Sequence, residues 1–442
     1  MLYGTSNQRH DKKGSGFSMD QKPVAVVLGG TVPHGEVIKE LKQRGYKTIL
    51  IDYFQVPPAA KYADVHIQES AMDEERVFEI SAQNHANLVL SPCLDQQINV
   101  AMKVSEKLGL PHPFSSETAK LVTDKEWMKQ IMMESGIPTA RYILADKETD
   151  LSGIDLRYPL IVKPDDSCGS AGVSRVEKPE QLQEAISTAV VYGKRGKAIV
   201  EEFLTGTEMS VHGYVRDGKF HLLFGTCKIV RFINGIMQQL CNLYLPDMKP
   251  ALRAQLETIA GQIVDAFRLP DDTPLFMQTI VREGKAYVIE FSPRCAGGIS
   301  TIVSDRYAGF NLIGCSIDSY LHVKKAEVNG THRLHKYVCC FLLYCGEGVF
   351  SHVEGAKELL KENVAEDVII LKTTGDRINL EKPSSSNALK YIITGDTWEE
   401  CLSKMKEADE KTDIIGADGQ SLRINKSPLT KEIIWEKLVA LV

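Results

Sequence analysis

Tyr158-Pro-Leu-Ile-Val-Lys163-Pro-Asp-Asp-Ser-Cys-Gly169-Ser170-Ala-Gly172 is the stretch on which the fold turns. An apolar strand delivers one lysine, and a run of small residues follows. Glycine and serine let backbone N–H groups close around a phosphate oxygen, so Ser167, Gly169, Ser170 and Gly172 form a candidate cradle. Lys163, on the strand before it, sets a fixed positive charge beside that oxygen. Taken alone, the stretch reads equally well as a strand ending in an ordinary turn, because a glycine loop is a weak motif.

Two further stretches lie downstream. In Ala198-Ile-Val-Glu201-Glu202-Phe203-Leu204-Thr-Gly206-Thr-Glu208 a strand runs into a linker whose backbone suits the edge of an adenine. Glu208 follows at a distance that suits a ribose hydroxyl. By itself this stretch is a strand end with solvated glutamates. In Gln278-Thr-Ile-Val-Arg-Glu-Gly-Lys-Ala-Tyr-Val-Ile-Glu290-Phe-Ser292-Pro-Arg294 two strands meet at a tight turn. The even separation of Gln278 and Glu290 can place both side chains on one sheet face. Oxygen donors on one face suit Mg²⁺, which takes few protein groups and completes its shell with phosphate oxygens. Arg294 is a candidate to hold a transferring phosphoryl group or a substrate carboxylate. The alternative is an edge hairpin with surface polar residues. Against it, Glu290 stands between Ile289 and Phe291, where an idle carboxylate is costly.

Around these stretches the chain reads as α/β, turning α+β in the middle. Val24 to Leu28 is an apolar run ending in Gly29-Gly30, a helical pattern follows, and a second run ends at Asp52. That is a βαβ unit. Residues 116–136 have a helical pattern closed by Gly136 and Pro138. Asp217-Gly218 signals a hairpin. The expected organisation is a disordered lead (1–18), an N-terminal α/β domain (19–115), a central domain (116–325) with a mobile lid around 142–205, and a C-terminal α/β domain (326–442).

The 442 residues are too many for one simple core. A net charge of −6 without a long basic run gives nucleic acid no electrostatic case as a partner. No apolar run is long enough to span a bilayer, so no membrane partner is expected. The ten cysteines form no Cys-x-x-Cys pair, which favours free buried thiols in a reducing cytosol. The expected location is therefore cytoplasmic.

Together and in this order, the three stretches resemble the ATP-grasp superfamily. Thr123-Asp124-Lys125, opening a helix that ends at Gly136-Ile137-Pro138, resembles the family's Asp-Lys helix. The resemblance covers roughly residues 22 to 325 and, more weakly, the C-terminal block. It implies that Lys125 and Lys163 bind ATP phosphates while the 167–172 loop closes over them. Glu201, Glu202, Phe203 and Leu204 would hold adenine, and Glu208 the ribose. Gln278, Glu290 and Ser292 would bind Mg²⁺ or Mn²⁺, with Lys163 and Arg294 as the catalytic pair. Gln278 is similar to the carbamoyl-phosphate synthetase large-chain branch, and Ser292 departs from the asparagine usual in the family. By its position in the family, the segment from Gly225 to Leu245 implies a substrate pocket with Lys228, Arg231 and Arg294 as contacts. Ordinary loop charges explain Lys228 and Arg231 equally well.

A stand-alone ligase similar to L-amino acid ligases fits the length. It would activate a small carboxylate as an acyl phosphate and join it to an amine, giving ADP and phosphate. Dimers are common in this superfamily, so a homodimer is a further expectation. Two rivals stand beside this reading. One is an ATP-binding protein without catalysis, for which Ser292 speaks. The other is a nicotinamide-dependent enzyme, for which Gly29-Gly30 and Asp52 speak, although Gly-x-Gly-x-x-Gly is absent.

Overall fold

The computed structural model describes residues 22–165, 172–193, 195–233, 236–323, 332–379, 386–424, 427 and 429–442. The expected lead, and Ser167, Gly169 and Ser170 of the candidate cradle, lie outside the described residues.

Four parallel strands open the fold: Val24–Leu28, Lys47–Asp52, Val65–Gln68 and Leu88–Leu90, in the order third, second, first, fourth. The first, second and fourth read as continuous apolar runs because both faces are covered. Helices Val32–Gln43, Glu74–Gln83 and Asp95–Leu108 provide part of that cover. Two later helices, Ser300–Ala308 and Leu312–Leu321, supply more, so that one apolar core joins residue 25 to residue 320 and beyond. Arg44 pins the arrangement, its Nη1 lying 2.6 Å from Asp318 Oδ1. The strand order reverses between the first and fourth strands, where crevices form in open α/β sheets. The loop after the fourth strand leads straight into Asp95.

A second small sheet is built from Tyr142–Ala145, Ala198–Glu202, Leu160–Pro164 and Ser174–Val176, in that order. It has its own core with helix Leu182–Tyr192. The third sheet is the largest and antiparallel. Its order is Lys285–Ser292, Pro274–Arg282, Thr207–Arg216, Lys219–Ile233, Ile236–Leu245, Tyr337–Tyr344, Asn387–Gly395, Asp367–Ile370. One face packs against helix Pro250–Phe267, whose Leu256, Ile259, Ile263 and Phe267 are buried. This sheet crosses residue 326. Tyr337–Tyr344 covers what would otherwise be the open edge of Ile236–Leu245, and an open edge is a liability.

Residues 116–136 form two helices, Ser116–Thr123 and Lys125–Glu134, rather than one. Asp124 breaks them: its backbone is extended (φ −87°, ψ 113°) and its carboxylate accepts from the amides of Glu126 and Trp127. The Asp217-Gly218 turn has positive φ at both residues (51° and 65°), as a two-residue hairpin of right-handed strands requires.

Candidate functional site

Lys163 and Glu201 come from neighbouring antiparallel strands in which Ile161 faces Glu201 and Lys163 faces Ile199. The two side chains are diagonal neighbours on one face, within reach of long side chains. Lys163 Nζ lies 2.5 Å from Glu201 Oε1. A second ammonium, Lys129 Nζ, lies 2.6 Å from Glu201 Oε2. Burial pushes the Glu201 carboxyl up, but the two lysines outweigh it and hold the group below its ordinary value. Lys129 stands four residues after Lys125 in the Asp124-capped helix, so both are on the same face. The sequence reading missed Lys129, although this spacing was its signal.

The linker after Glu201 is tied down selectively. The Glu202 amide donates to Arg141 O at 3.0 Å and the Phe203 amide to Pro159 O at 2.9 Å. The guanidinium of Arg175 lies 4.3 Å from the centre of the Phe203 ring. Among the described residues no protein acceptor meets the Leu204 amide. At Gly206 a Cβ would lie 2.5 Å from Val281 O, so only glycine lets the chain turn here toward Glu208. Glu208 Oε1 is 3.5 Å from Lys228 Nζ on the adjacent strand.

Gln278 and Glu290 face each other directly across their hairpin. Their even separation would put them on opposite faces of a regular two-residue hairpin. A bulge between Gln278 and Thr279, with Ile289 as the extra residue, restores them to one face. Ser292, two residues further on, shares that face. Its hydroxyl oxygen is buried beside the Asp95 carboxylate, whose value it helps to lower. Gln278, Glu290 and Ser292 therefore offer an all-oxygen donor set carrying one charge. No cluster of three or more His, Cys, Asp or Glu is present among the described residues. A few oxygen donors on one sheet face are a set that suits Mg²⁺, which completes its shell with other oxygens.

Arg294 is gripped by the Asp95 carboxylate. Nε lies 2.6 Å from Asp95 Oδ1, Nη2 bonds Oδ2, and Nη1 donates to Cys295 O at 2.9 Å. Burial pushes the Asp95 carboxyl up, and the Arg294 guanidinium outweighs it and holds it below the usual carboxylate range.

These groups line one cavity of about 1360 Å³ between the small sheet, the large sheet and the N-terminal unit. It brings together Lys125, Lys163, Glu201, Glu202, Phe203, Leu204, Glu208, Lys228, Gln278, Glu290, Ser292 and Arg294. Two expected contacts stand apart from it. Gly172 (φ 70°) packs where a Cβ would meet Tyr192 at 2.6 Å, and Arg231 lies 3.3 Å from Glu436. The cavity also takes in residues the sequence did not nominate: Asp95, Lys129, and Tyr344, Asn387 and Lys390 of the C-terminal strands.

Residues 156–302 match the ATP-grasp domain family. The chain carries an ATP-grasp domain. Among curated proteins, the chain is 29% identical over 202 residues to a D-alanine–D-alanine ligase of Cupriavidus metallidurans. That match covers 42% of this chain and 59% of the ligase, less than two thirds of its length. A formate-dependent phosphoribosylglycinamide formyltransferase of Synechococcus is 25% identical over 280 residues, covering 62% of this chain and 70% of that protein. In fold, the chain superposes on the crystal structure of an L-amino acid ligase from Bacillus licheniformis. The TM-score is 0.74 at 20% identity, over 90% of this chain and all of that one.

Proposed function

We propose that this ATP-grasp protein is a Mg²⁺-dependent ligase that activates a small carboxylate as an acyl phosphate and joins it to an amine, releasing ADP and phosphate. One observation carries the reading. A single cavity gathers cationic side chains, an open linker amide, an oxygen-donor hairpin and an oriented arginine. Those are the parts phosphoryl transfer needs, because the protein's task there is positioning and charge neutralisation. The ligase relatives support it.

In this reading Lys125 and Lys163 bind phosphate oxygens, the Leu204 amide meets adenine, and Glu208 meets the ribose. Gln278, Glu290 and Ser292 would hold Mg²⁺ or Mn²⁺, which would neutralise the phosphates as charge develops. Arg294, its direction fixed by Asp95, steadies the transferring phosphoryl group or the carboxylate. The small sheet around 142–205 closes the cavity as a lid and keeps water from the acyl phosphate. Lys228 is the substrate contact we retain. The protein acts as a cytoplasmic homodimer, whose dimeric state sedimentation would test; because the large sheet crosses residue 326, the expected units 116–325 and 326–442 act as one, beside the N-terminal unit.

The deciding experiment pairs ATP calorimetry with a phosphate-release assay against pooled carboxylates and amines, with products read by mass spectrometry. Amine-dependent phosphate release with a condensed product is expected. ATP binding without release in any pool would leave only a nucleotide-binding protein.

A further inference from the structure

We propose that Lys129 is a positioning residue for nucleotide binding: it is the standing counter-ion of Glu201, and it thereby frees Lys163 to reach a phosphate. The proposal rests on the ATP reading above.

The Glu201 carboxylate is shared by two ammonium groups, 2.5 Å from Lys163 and 2.6 Å from Lys129. The three side chains are not equally placed. All three line the cavity, but those of Lys129 and Glu201 are 3% and 9% exposed, whereas that of Lys163 is 15% exposed. Lys129 has a second anchor. It donates to Thr139 Oγ1 at 3.0 Å, and that hydroxyl donates to Val288 O at 2.8 Å. Among the described residues Glu201 is the only group bonded to the Lys163 ammonium. The anchored lysine is therefore the one that stays, and the tethered one is the one that can leave.

Charge explains why two lysines are needed. A buried carboxylate with one partner resists that partner's departure, because a lone charge would remain in a site shielded from water. If Lys163 were the sole partner of Glu201, each move toward a phosphate would strand the carboxylate. With Lys129 in place the carboxylate keeps a partner at 2.6 Å, and the surplus positive charge faces the cavity. Burial pushes the Lys129 ammonium below its ordinary value, and Glu201 opposes that shift. Glu201 and Lys129 thus act as a fixed platform, with Lys163 as the moving contact.

The test is ATP affinity by calorimetry, with turnover at saturating ATP read in parallel. Lys129→Met should weaken ATP binding at least tenfold while maximal turnover stays within about threefold. Lys129→Arg should bind ATP close to wild type. In a Glu201→Gln background no charge holds Lys163, so adding Lys129→Met should change ATP affinity less than threefold. This comparison also serves if Lys129→Met alone does not fold. Folded Lys129→Met with wild-type affinity, or a tenfold further loss in the Glu201→Gln background, would overturn the proposal. Wild-type protein that binds no ATP would overturn the nucleotide reading beneath it.

Discussion

Five N–H donors belong to the Arg294 guanidinium, and Asp95 and the Cys295 carbonyl take three of them. The remaining donors have no freedom of direction. Asp95→Asn should keep the shape and lose the charge-assisted grip. We expect turnover to fall about tenfold or more with ATP affinity unchanged; equal loss in both would mean a general collapse of the site. The sign of the pH dependence follows from the lowered Asp95 value. Its stabilising contribution is present above the unfolded carboxylate range, near pH 4, and is lost as pH falls through the depressed value. The stability gap between wild type and Asp95→Asn in urea should therefore narrow below about pH 4. Glu290→Gln is the companion test. It removes the one full charge of the donor set and should raise the Mg²⁺ concentration for half-maximal turnover several-fold; unchanged metal dependence would take Glu290 out of the site. At this scale Lys163 and Glu290 were legible because each interrupts an apolar strand. Asp95 was not, since an acid in a helix's first turn is ordinary. Lys129 left only its four-residue spacing from Lys125 as a signal, and helical lysines usually face solvent.

The hairpin 274–292 shows where element-level reading stops. Strands and turn were plain from composition, but which face a side chain takes depends on parity. The bulge at Ile289 changes the parity without any turn residue to announce it. The Asp124 break was hidden to periodicity inside a continuous helical pattern, and only the resemblance of Thr123-Asp124-Lys125 to a helix opening marked it. Asp124 caps helix Lys125–Glu134 and also holds Arg195 Nη1 at 2.6 Å. Losing such a cap costs about 1 kcal/mol, and this helix sets both Lys125 and Lys129. Asp124→Ala should speed amide exchange across 125–134 and weaken ATP binding together. Faster exchange with intact ATP affinity would separate the helix from the nucleotide site.

Across the whole molecule the cavity belongs to no single unit: the small sheet, the large sheet and the N-terminal unit each contribute walls. A ligand seated there ties them together, and ligand bound only to the folded state adds about 2.7 kcal/mol at a hundredfold excess over Kd. ATP with Mg²⁺ should therefore slow amide exchange in 198–204 and in the strands Thr207–Arg216 and Lys219–Ile233. The first, second and fourth parallel strands, already largely buried, should change little. Protection confined to the N-terminal sheet would place the nucleotide elsewhere. The α/β start and the strand-rich middle were readable from periodicity. The contribution of Tyr344, Asn387 and Lys390 was not, because pairing across nearly a hundred residues leaves no local trace.

The first four strands share their core with helices Ser300–Ala308 and Leu312–Leu321, and with residues as late as Ile392. During synthesis the opening βαβ unit therefore emerges with one flank bare. At roughly 5–20 residues per second, the ribosome needs on the order of ten to fifty seconds to deliver the covering helices. The nascent chain must spend that interval with apolar surface exposed, so chaperone dependence should peak in the middle of translation and not at its end. Ribosome-bound chains stalled before residue 300 should be far more protease-sensitive across residues 24–90 than chains stalled after 400.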